Sequence, residues 1–189
     1  SRPEVARQFM SPAPEKIVSK LLKQGLITPQ QAELSAHVAL ADDVTVEADS
    51  GGHTDHGVLT CIFNEIVAVR NTLHAEHQLQ NQVRVGAAGG LGTPEAVMSA
   101  FALGADFVVT GSINQSCLEA RTSDEVKRML ERVDVAGVAS APSADMFEIG
   151  AKVQVLKTNS MYAVRAQKLY GLYKQYSGID AIPQTEIEA

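Results

Sequence analysis

The glycine-rich segment at residues 86–94, which reads GAAGGLGTP, is the part of the sequence best suited to bind a ligand. Glycines in a turn between a strand and a capped helix expose backbone N–H groups, and these groups together with the helix dipole bind a phosphate well. No Gly-Lys-Ser/Thr follows, so the segment is not a P-loop, and its spacing is not that of a Rossmann fingerprint. The alternative is a tight turn whose glycines only permit positive φ.

The same arrangement recurs at the end of the next predicted strand, as Gly111-Ser112. Loops after two neighbouring strands often form one phosphate site in (β/α) barrels. We therefore predict a phosphate site made of Gly89, Gly90, Gly111 and Ser112.

A second candidate site is the segment EADSGGHTD at residues 47–55. Gly51 and Gly52 would let the backbone approach a flat ligand, with His53 over it, and a histidine can donate or accept a proton near neutral pH. We predict a catalytic role for His53; the alternative is a histidine on a surface loop. His53, Asp55 and His56 could together suggest a metal site. One such cluster without further ligands is weak evidence for a metal, so no metal is predicted.

Three predicted strands position these turns, at residues 43–48, 83–87 and 106–110. Helical patterns over 58–80 and 93–103 separate them, so the order is that of parallel βαβ units. In such folds ligands bind at the C-terminal ends of the strands, where all three glycine-containing turns lie.

The flanking regions are predicted to be helical. An N-terminal helical segment covers 11–40, with a capping box at Thr28 and Gln31. After residue 121 the sequence predicts a mostly helical extension: a capping box at 122–125 opens a helix to about Arg132, the small residues of 136–142 indicate a loop, and 159–176 is a helix. The predicted domains are 1–121 and 122–189.

Length and strand number together predict an incomplete barrel. A whole (β/α) barrel needs about 250 residues, whereas this chain has 189 residues and three predicted strands. Either the chain is an excerpt of a longer protein or its sheet is open, and the missing initiator methionine favours an excerpt. The fold class predicted from the residues is therefore α/β with parallel strands.

Composition excludes several classes of partner. The net charge is −6, and no run of Lys or Arg stands out, which disfavours nucleic acid and anionic membranes. The least charged stretch, 85–114, contains Glu95, Asp106 and many glycines, so no membrane span is predicted. Two unclustered cysteines give neither a disulfide framework nor a zinc pattern, as suits a reducing cytoplasm.

Three segments resemble a known family: EADSGGHTD at 47–55, VGAAGGLGTPEAVMSAFALGADFVVTGSINQ at 85–115, and ADMFEIGAKVQVLK at 144–157. They resemble the PfaD family, the trans-acting enoyl reductases of polyunsaturated fatty acid and polyketide synthases. That family belongs to the nitronate monooxygenase (2-nitropropane dioxygenase-like) group of FMN barrels. The resemblance covers essentially the whole chain, and the third segment together with SMYAVRAQKLYGLYKQY at 160–176 is specific to the PfaD branch.

The resemblance implies that the chain is the C-terminal part of a TIM (β/α) barrel with parallel strands, followed by a mostly helical extension. It also implies roles for the candidate residues. Gly51 and Gly52 would contact FMN, and His53 matches the group's catalytic histidine. The FMN phosphate would be held by Gly89, Gly90, Gly111 and Ser112.

The resemblance also implies a reaction. NADPH would reduce the flavin, and the reduced flavin would then reduce an enoyl thioester on an acyl carrier protein. The sequence does not decide whether the protein forms a homodimer. Two alternatives remain: a nitronate monooxygenase-type oxidase that uses O₂, and a non-catalytic module that docks on a synthase.

Overall fold

A computed structural model describes residues 2–52 and 56–187 of the chain, which folds into two compact units. The first unit consists of Ser1–Asp49 and Asp55–Gly111, and the second of Ser50–Thr54 and Ser112–Ala189. The domain boundary proposed after residue 121 stays a prediction.

The first unit alternates strands and helices as the hydrophobic pattern predicts. Its strands are β1 (Asp43–Glu47), β2 (Arg84–Ala88) and β3 (Val108–Val109), and its helices are α1 (Pro3–Met10), α2 (Glu15–Lys23), α3 (Pro29–Leu34), α4 (Leu59–His77) and α5 (Pro94–Ala102). A 3₁₀ turn at Ser35–His37 follows α3. Sequence reasoning missed α1 but found the capping box of α3, where the Thr28 hydroxyl accepts from the Gln31 amide at 3.1 Å.

The three strands form one parallel sheet in the order β1-β2-β3. The register places Glu47 beside Ala88, and Ala88 beside Val109. The predicted α/β class with parallel strands is confirmed, and the segments that follow β1, β2 and β3 leave the sheet at the same edge.

A hydrophobic core stabilises the first unit. Phe63, Ile66 and Leu73 recur on one face of α4 and are almost fully buried, as are Val46 of β1 and Val85 of β2. Met10 of α1 is also fully buried in this cluster, although its own helix is short. Burial of each such side chain stabilises the fold by about 1.5–3 kcal/mol.

Asp106 fixes the start of β3 against β2. Its carboxylate oxygen Oδ2 accepts a hydrogen bond from the Val85 amide at 2.7 Å, and its own amide donates to the Val85 carbonyl at 2.9 Å. The same carboxylate lies 3.5 Å from the guanidinium of Arg70 on α4, whose side chain is only 15% exposed. Asp106 therefore ties two strands and a helix together at the N-terminal edge of the sheet.

The second unit combines helices with a strand pair. Its elements are α6 (Ser112–Gln115), α7 (Asp124–Arg132), β4 (Val138–Pro142), β5 (Lys152–Leu156), α8 (Tyr162–Gln175) and α9 (Gln184–Ile187), with 3₁₀ turns at Val135–Gly137 and Ile179–Ala181. The loop expected at 136–142 was wrong, because β4 pairs there with β5 in antiparallel register. The cap of α7 is Ser123, whose hydroxyl accepts from the Val126 amide at 3.3 Å.

An aromatic cluster anchors the loop between β4 and β5 to α8. Phe147 in the loop packs edge-on against Tyr170 and Tyr173, with ring centroids 5.3 and 5.5 Å apart. Gly150 adopts φ +72°, and a Cβ there would collide with the Tyr170 hydroxyl. The loop therefore needs glycine at this position in order to close against the helix.

Among the residues described, no helix combines the length and apolar character needed to cross a membrane.

The contacts of Asp106 predict two unequal substitutions. Asp106→Ala leaves the buried Val85 amide without an acceptor and should lower the free energy of unfolding by about 1–3 kcal/mol. Asp106→Asn keeps an acceptor and loses only the ion pair with Arg70, so its loss should be about 1 kcal/mol or less. Urea denaturation of both variants measures the difference, and equal losses would show that the hydrogen bond to Val85 is unimportant.

Candidate functional site

The turn that follows β2 contains two glycines, and the structural reason for glycine differs between the two positions. Gly89 has φ +93°, and a Cβ on it would lie 2.8 Å from the Ala48 carbonyl oxygen at the end of β1. Glycine is therefore required at 89 by the close approach of two backbone segments, which the hydrogen bond from the Ala48 amide to the Ala88 carbonyl (2.9 Å) holds together.

Gly90 has φ +69°, yet no described atom lies within 4 Å of a Cβ built on it. Its backbone conformation favours glycine, but the space beside it is open. An open space next to main-chain N–H groups at a strand end is what an anion requires.

Helix α5 begins directly after this turn. The Thr93 hydroxyl caps it by accepting from the Ala96 amide at 3.2 Å, and Pro94 occupies the first turn. The Gly92 amide donates to the Gly90 carbonyl at 3.1 Å, which tightens the approach to the helix. The positive end of the α5 dipole therefore lies at the same edge as the Gly89–Gly90 turn.

The segment that follows β1 forms a loop whose base is closed by hydrogen bonds. The Asp49 amide donates to the Gly57 carbonyl at 2.8 Å, and an Asp49 carboxylate oxygen lies 3.0 Å from Nδ1 of His56. His56 has φ +57°, which is unusual for a residue other than glycine. Sequence reasoning missed the pairing of Asp49 with His56, because a separation of seven residues carries no helical or strand period that would indicate contact.

Gly51 and Gly52 lie in this loop and belong to the second unit. Neither adopts positive φ, and no described atom lies within 4 Å of a Cβ built on either residue. The Gly51 carbonyl accepts a hydrogen bond from the Gln154 amide of β5 at 3.0 Å. His53, the predicted catalytic residue, lies outside the described residues.

Gly111 and Ser112 follow β3, and both are exposed. Gly111 is the last residue of the first unit and has no described atom within 4 Å of a built Cβ. Ser112 opens α6 and the second unit. Within the first unit, the parallel register thus brings Gly89, Gly90 and Gly111 to one edge of the sheet.

The opposite edge of the sheet carries a groove of about 340 Å³ that sequence reasoning did not single out. Arg84 lines it and is paired with Asp43 through two hydrogen bonds of 2.6 and 2.7 Å. Hydrogen bonding to Asp43 raises the pKa of the Arg84 guanidinium above its ordinary value. In residues 2–52 and 56–187, no three His, Cys, Asp or Glu side chains are grouped in a way that could hold a metal ion.

Comparison with known proteins gives relatives over the whole chain. Residues 31–122 match the family described as a conserved region in glutamate synthase. The polyketide biosynthesis protein PksE of Bacillus subtilis is 53% identical over 95% of this chain. A component of the polyunsaturated fatty acid synthase of Thraustochytrium is 46% identical over 100% of it.

This chain is also similar to solved structures. The enoyl reductase domain of MlnA, from the macrolactin biosynthesis cluster of Bacillus amyloliquefaciens, is 44% identical with a TM-score of 0.90, and the match covers 98% of this chain and 42% of that one. FabK from Thermotoga maritima is 19% identical with a TM-score of 0.53 over 93% of this chain and 44% of its own, which shows the fold alone. The fold class predicted from the sequence, a partial (β/α) barrel, is confirmed.

This chain spans only part of these relatives. It covers 23% of the length of PksE and 13% of the Thraustochytrium synthase component. The predicted family resemblance is nevertheless confirmed, since a polyketide biosynthesis protein, a polyunsaturated fatty acid synthase component and an enoyl reductase domain each match 95% or more of this chain.

The two glycines of the turn after β2 should respond differently to alanine. Gly90→Ala meets only backbone strain in the left-handed region, about 1–2 kcal/mol. Gly89→Ala adds a collision with the Ala48 carbonyl and should cost about 1–3 kcal/mol more. Thermal unfolding of the two variants gives the comparison.

Gly25→Ala is the matched control for Gly90→Ala, because Gly25 has the same φ of +69° and equally open surroundings after α2. Gly25→Ala and Gly90→Ala should lose the same stability. If Gly89→Ala is no less stable than Gly90→Ala, the close approach of Ala48 to Gly89 is not a constraint on the fold.

Proposed function

We propose that this chain, a homologue of polyketide and polyunsaturated fatty acid synthase proteins, is part of an FMN-dependent enoyl-thioester reductase that acts in trans in one of these pathways. Two facts support the proposal: the names of the relatives, and the 44% identity to a domain described as an enoyl reductase. The activity is proposed for the natural protein, since the chain spans a minor part of its relatives.

The observation that carries the proposal is the open Gly90 position at the strand edge. FMN requires a phosphate site with main-chain donors and without side chains in the way. The turn at Gly89–Gly90 ends a parallel strand, precedes the N-terminus of α5, and leaves the volume of a Cβ empty at Gly90. The residues present thus fit a phosphate, and we assign Gly89, Gly90, Gly111 and Ser112 to it.

Three glycines in the segments that follow β1 and β3 leave space in which a flat ligand could contact the backbone. Gly51, Gly52 and Gly111 have neither positive φ nor a described neighbour that would exclude a Cβ. A bound group that approaches the backbone would explain why side chains are absent there. We therefore assign Gly51 and Gly52 to contact with the flavin ring.

When bound, FMN would supply hydride-transfer chemistry between a reduced nicotinamide, which we propose is NADPH, and the β-carbon of an enoyl thioester. The α-carbon then needs a proton, and His53 is the candidate donor. The contacts of Asp49 with Gly57 and His56 join the two ends of the sequence segment in which His53 occurs.

The proposed substrate carrier is an acyl carrier protein of the synthase, and the proposed location is the cytoplasm. The relatives' descriptions as synthase and polyketide biosynthesis proteins support the first, because intermediates in such systems are carried as thioesters. The net charge of −6 disfavours nucleic acid as a partner.

Substitution of His53 in the natural protein tests the proposal. His53→Ala and His53→Gln should keep FMN, because the phosphate is held by the glycine turns. Loss of a positioned proton donor costs about 10²–10⁴ in rate, so reduction of a crotonyl thioester should fall by that order. Reduction of the flavin by NADPH should change little, and stopped-flow absorbance separates the two half-reactions.

His37→Ala is a suitable control, because His37 is exposed and precedes β1 at the opposite edge of the sheet. It should react like the wild type in both steps. Wild-type enoyl reduction in both His53 variants would remove His53 from the chemistry. A wild-type protein that oxidises nitronates with O₂, and does not reduce enoyl thioesters, would overturn the proposed function.

A further inference from the structure

Within the second unit, β5 makes a direct contact with the Gly51–Gly52 turn. The Gln154 amide of β5 donates a hydrogen bond of 3.0 Å to the Gly51 carbonyl, two residues before His53. The predicted helical extension of residues 122–189 thus contacts the turn that precedes His53 in the sequence.

The alternation of β5 shows that this amide is not part of the pairing with β4. The Lys157 amide donates to the Gly137 carbonyl, and the Ala151 carbonyl accepts from the Ser143 amide, each at 2.8 Å. In an antiparallel pair, every second residue bonds to the partner strand. The odd-numbered residues of β5 therefore form the backbone hydrogen bonds to β4. The N–H of Gln154 points to the edge of β5 that faces away from β4.

The edge of β4 that faces away from β5 also has a hydrogen-bond partner, on helix α8. The Ser140 carbonyl, opposite Gln154 in the register, accepts from the side-chain amide of Gln167 on α8 at 3.1 Å. The loop between β4 and β5 packs against α8 through Phe147. Within the second unit, a continuous set of contacts thus runs from α8 through β4 and β5 to Gly51.

We propose that Gln154, through its backbone amide, is the positioning residue for the Gly51–Gly52 turn, which β5 holds as it would hold a neighbouring strand. Glycine has the greatest backbone freedom of any residue, so two consecutive glycines need an external contact to keep one conformation. His53 directly follows this turn in the sequence, and misplacement of a catalytic group by about 1 Å can cost 10²-fold in rate. This consequence for catalysis rests on the proposed function.

Gln154→Pro in the natural protein removes the amide that faces Gly51 and leaves the bonds from β5 to β4 in place, since proline is tolerated where the N–H faces away from the ladder. Lys152→Pro is the matched control, because its amide faces the same edge of the same strand. Gln154→Ala keeps the amide and tests the side chain alone.

Hydrogen–deuterium exchange of the peptide that covers residues 49–57 gives a readout that does not depend on activity. We expect exchange about tenfold faster in Gln154→Pro, the effect of losing about one hydrogen bond. Lys152→Pro and Gln154→Ala should match the wild type. Exchange that is equal in all four proteins would overturn the proposal.

Stopped-flow kinetics then connect the contact to the reaction. In Gln154→Pro the enoyl step should fall about ten- to a hundredfold, while flavin content and reduction by NADPH stay the same. Faster exchange with an unchanged enoyl step would confirm the contact and overturn its proposed consequence for catalysis. If the wild type does not reduce enoyl thioesters, the proposed function fails, and the exchange result still decides whether β5 holds the turn.

A measurement on the unmodified protein covers the case in which Gln154→Pro does not fold. The Gln154 amide should exchange as slowly as its neighbours Val153 and Val155, which bond to β4. Exchange as fast as that of the Lys152 amide would overturn the proposal.

Discussion

The parallel pairing of β1, β2 and β3 is the constraint on which the rest of the first unit depends. Because all three strands run in the same direction and in fixed register, their C-terminal ends leave the sheet at one edge. The backbone pairing alone therefore brings the turn after β2 and Gly111 after β3 to the same edge. Asp106 keeps this register at the far edge, where its carboxylate binds the Val85 amide.

The described glycines differ in the physical reason for which glycine is needed. Gly86 and Gly89 are required by the fold, since a Cβ on the first would overlap the Phe107 ring and on the second would strike the Ala48 carbonyl. Gly51, Gly52 and Gly111 have neither steric nor conformational reason to be glycine within the described structure. These three glycines follow β1 and β3, whereas Gly171 and Gly178, which share both properties, lie in and after α8.

Hydrophobic period and capping chemistry predicted most of the first unit. The stripe of α4 that includes Ile66 and Leu73, and the capping box at Thr28, act within one or two helical turns and can be found in a single sequence. The short helix α1 was missed because its burial depends on Met10 packing against distant residues. The strand β4 was missed because small residues such as Ala139 and Ser140 pair only once β5 lies beside them.

The candidate site was predictable in part for the same reason. A glycine turn after a strand can be recognised in a single sequence. The sequence therefore predicted the turn at Gly89 and Gly90 and its position at the C-terminal end of the strand. The pair formed by Asp49 and His56 and the bond from Gln154 to Gly51 join residues with no common period. Contacts of this kind depend on how the chain folds back, and the second of them links residues far apart in the sequence.

The affinity of the natural apoprotein for FMN and for riboflavin tests the central claim, that the glycine turns hold a phosphate. The two ligands share the flavin ring and differ only in the phosphate, so the ratio of their dissociation constants isolates that group. One charge-assisted hydrogen bond contributes about 1.5–3 kcal/mol, which corresponds to more than about tenfold in affinity. We expect FMN to bind at least tenfold more tightly than riboflavin. Equal affinities for the two flavins, or no binding of either, would contradict it.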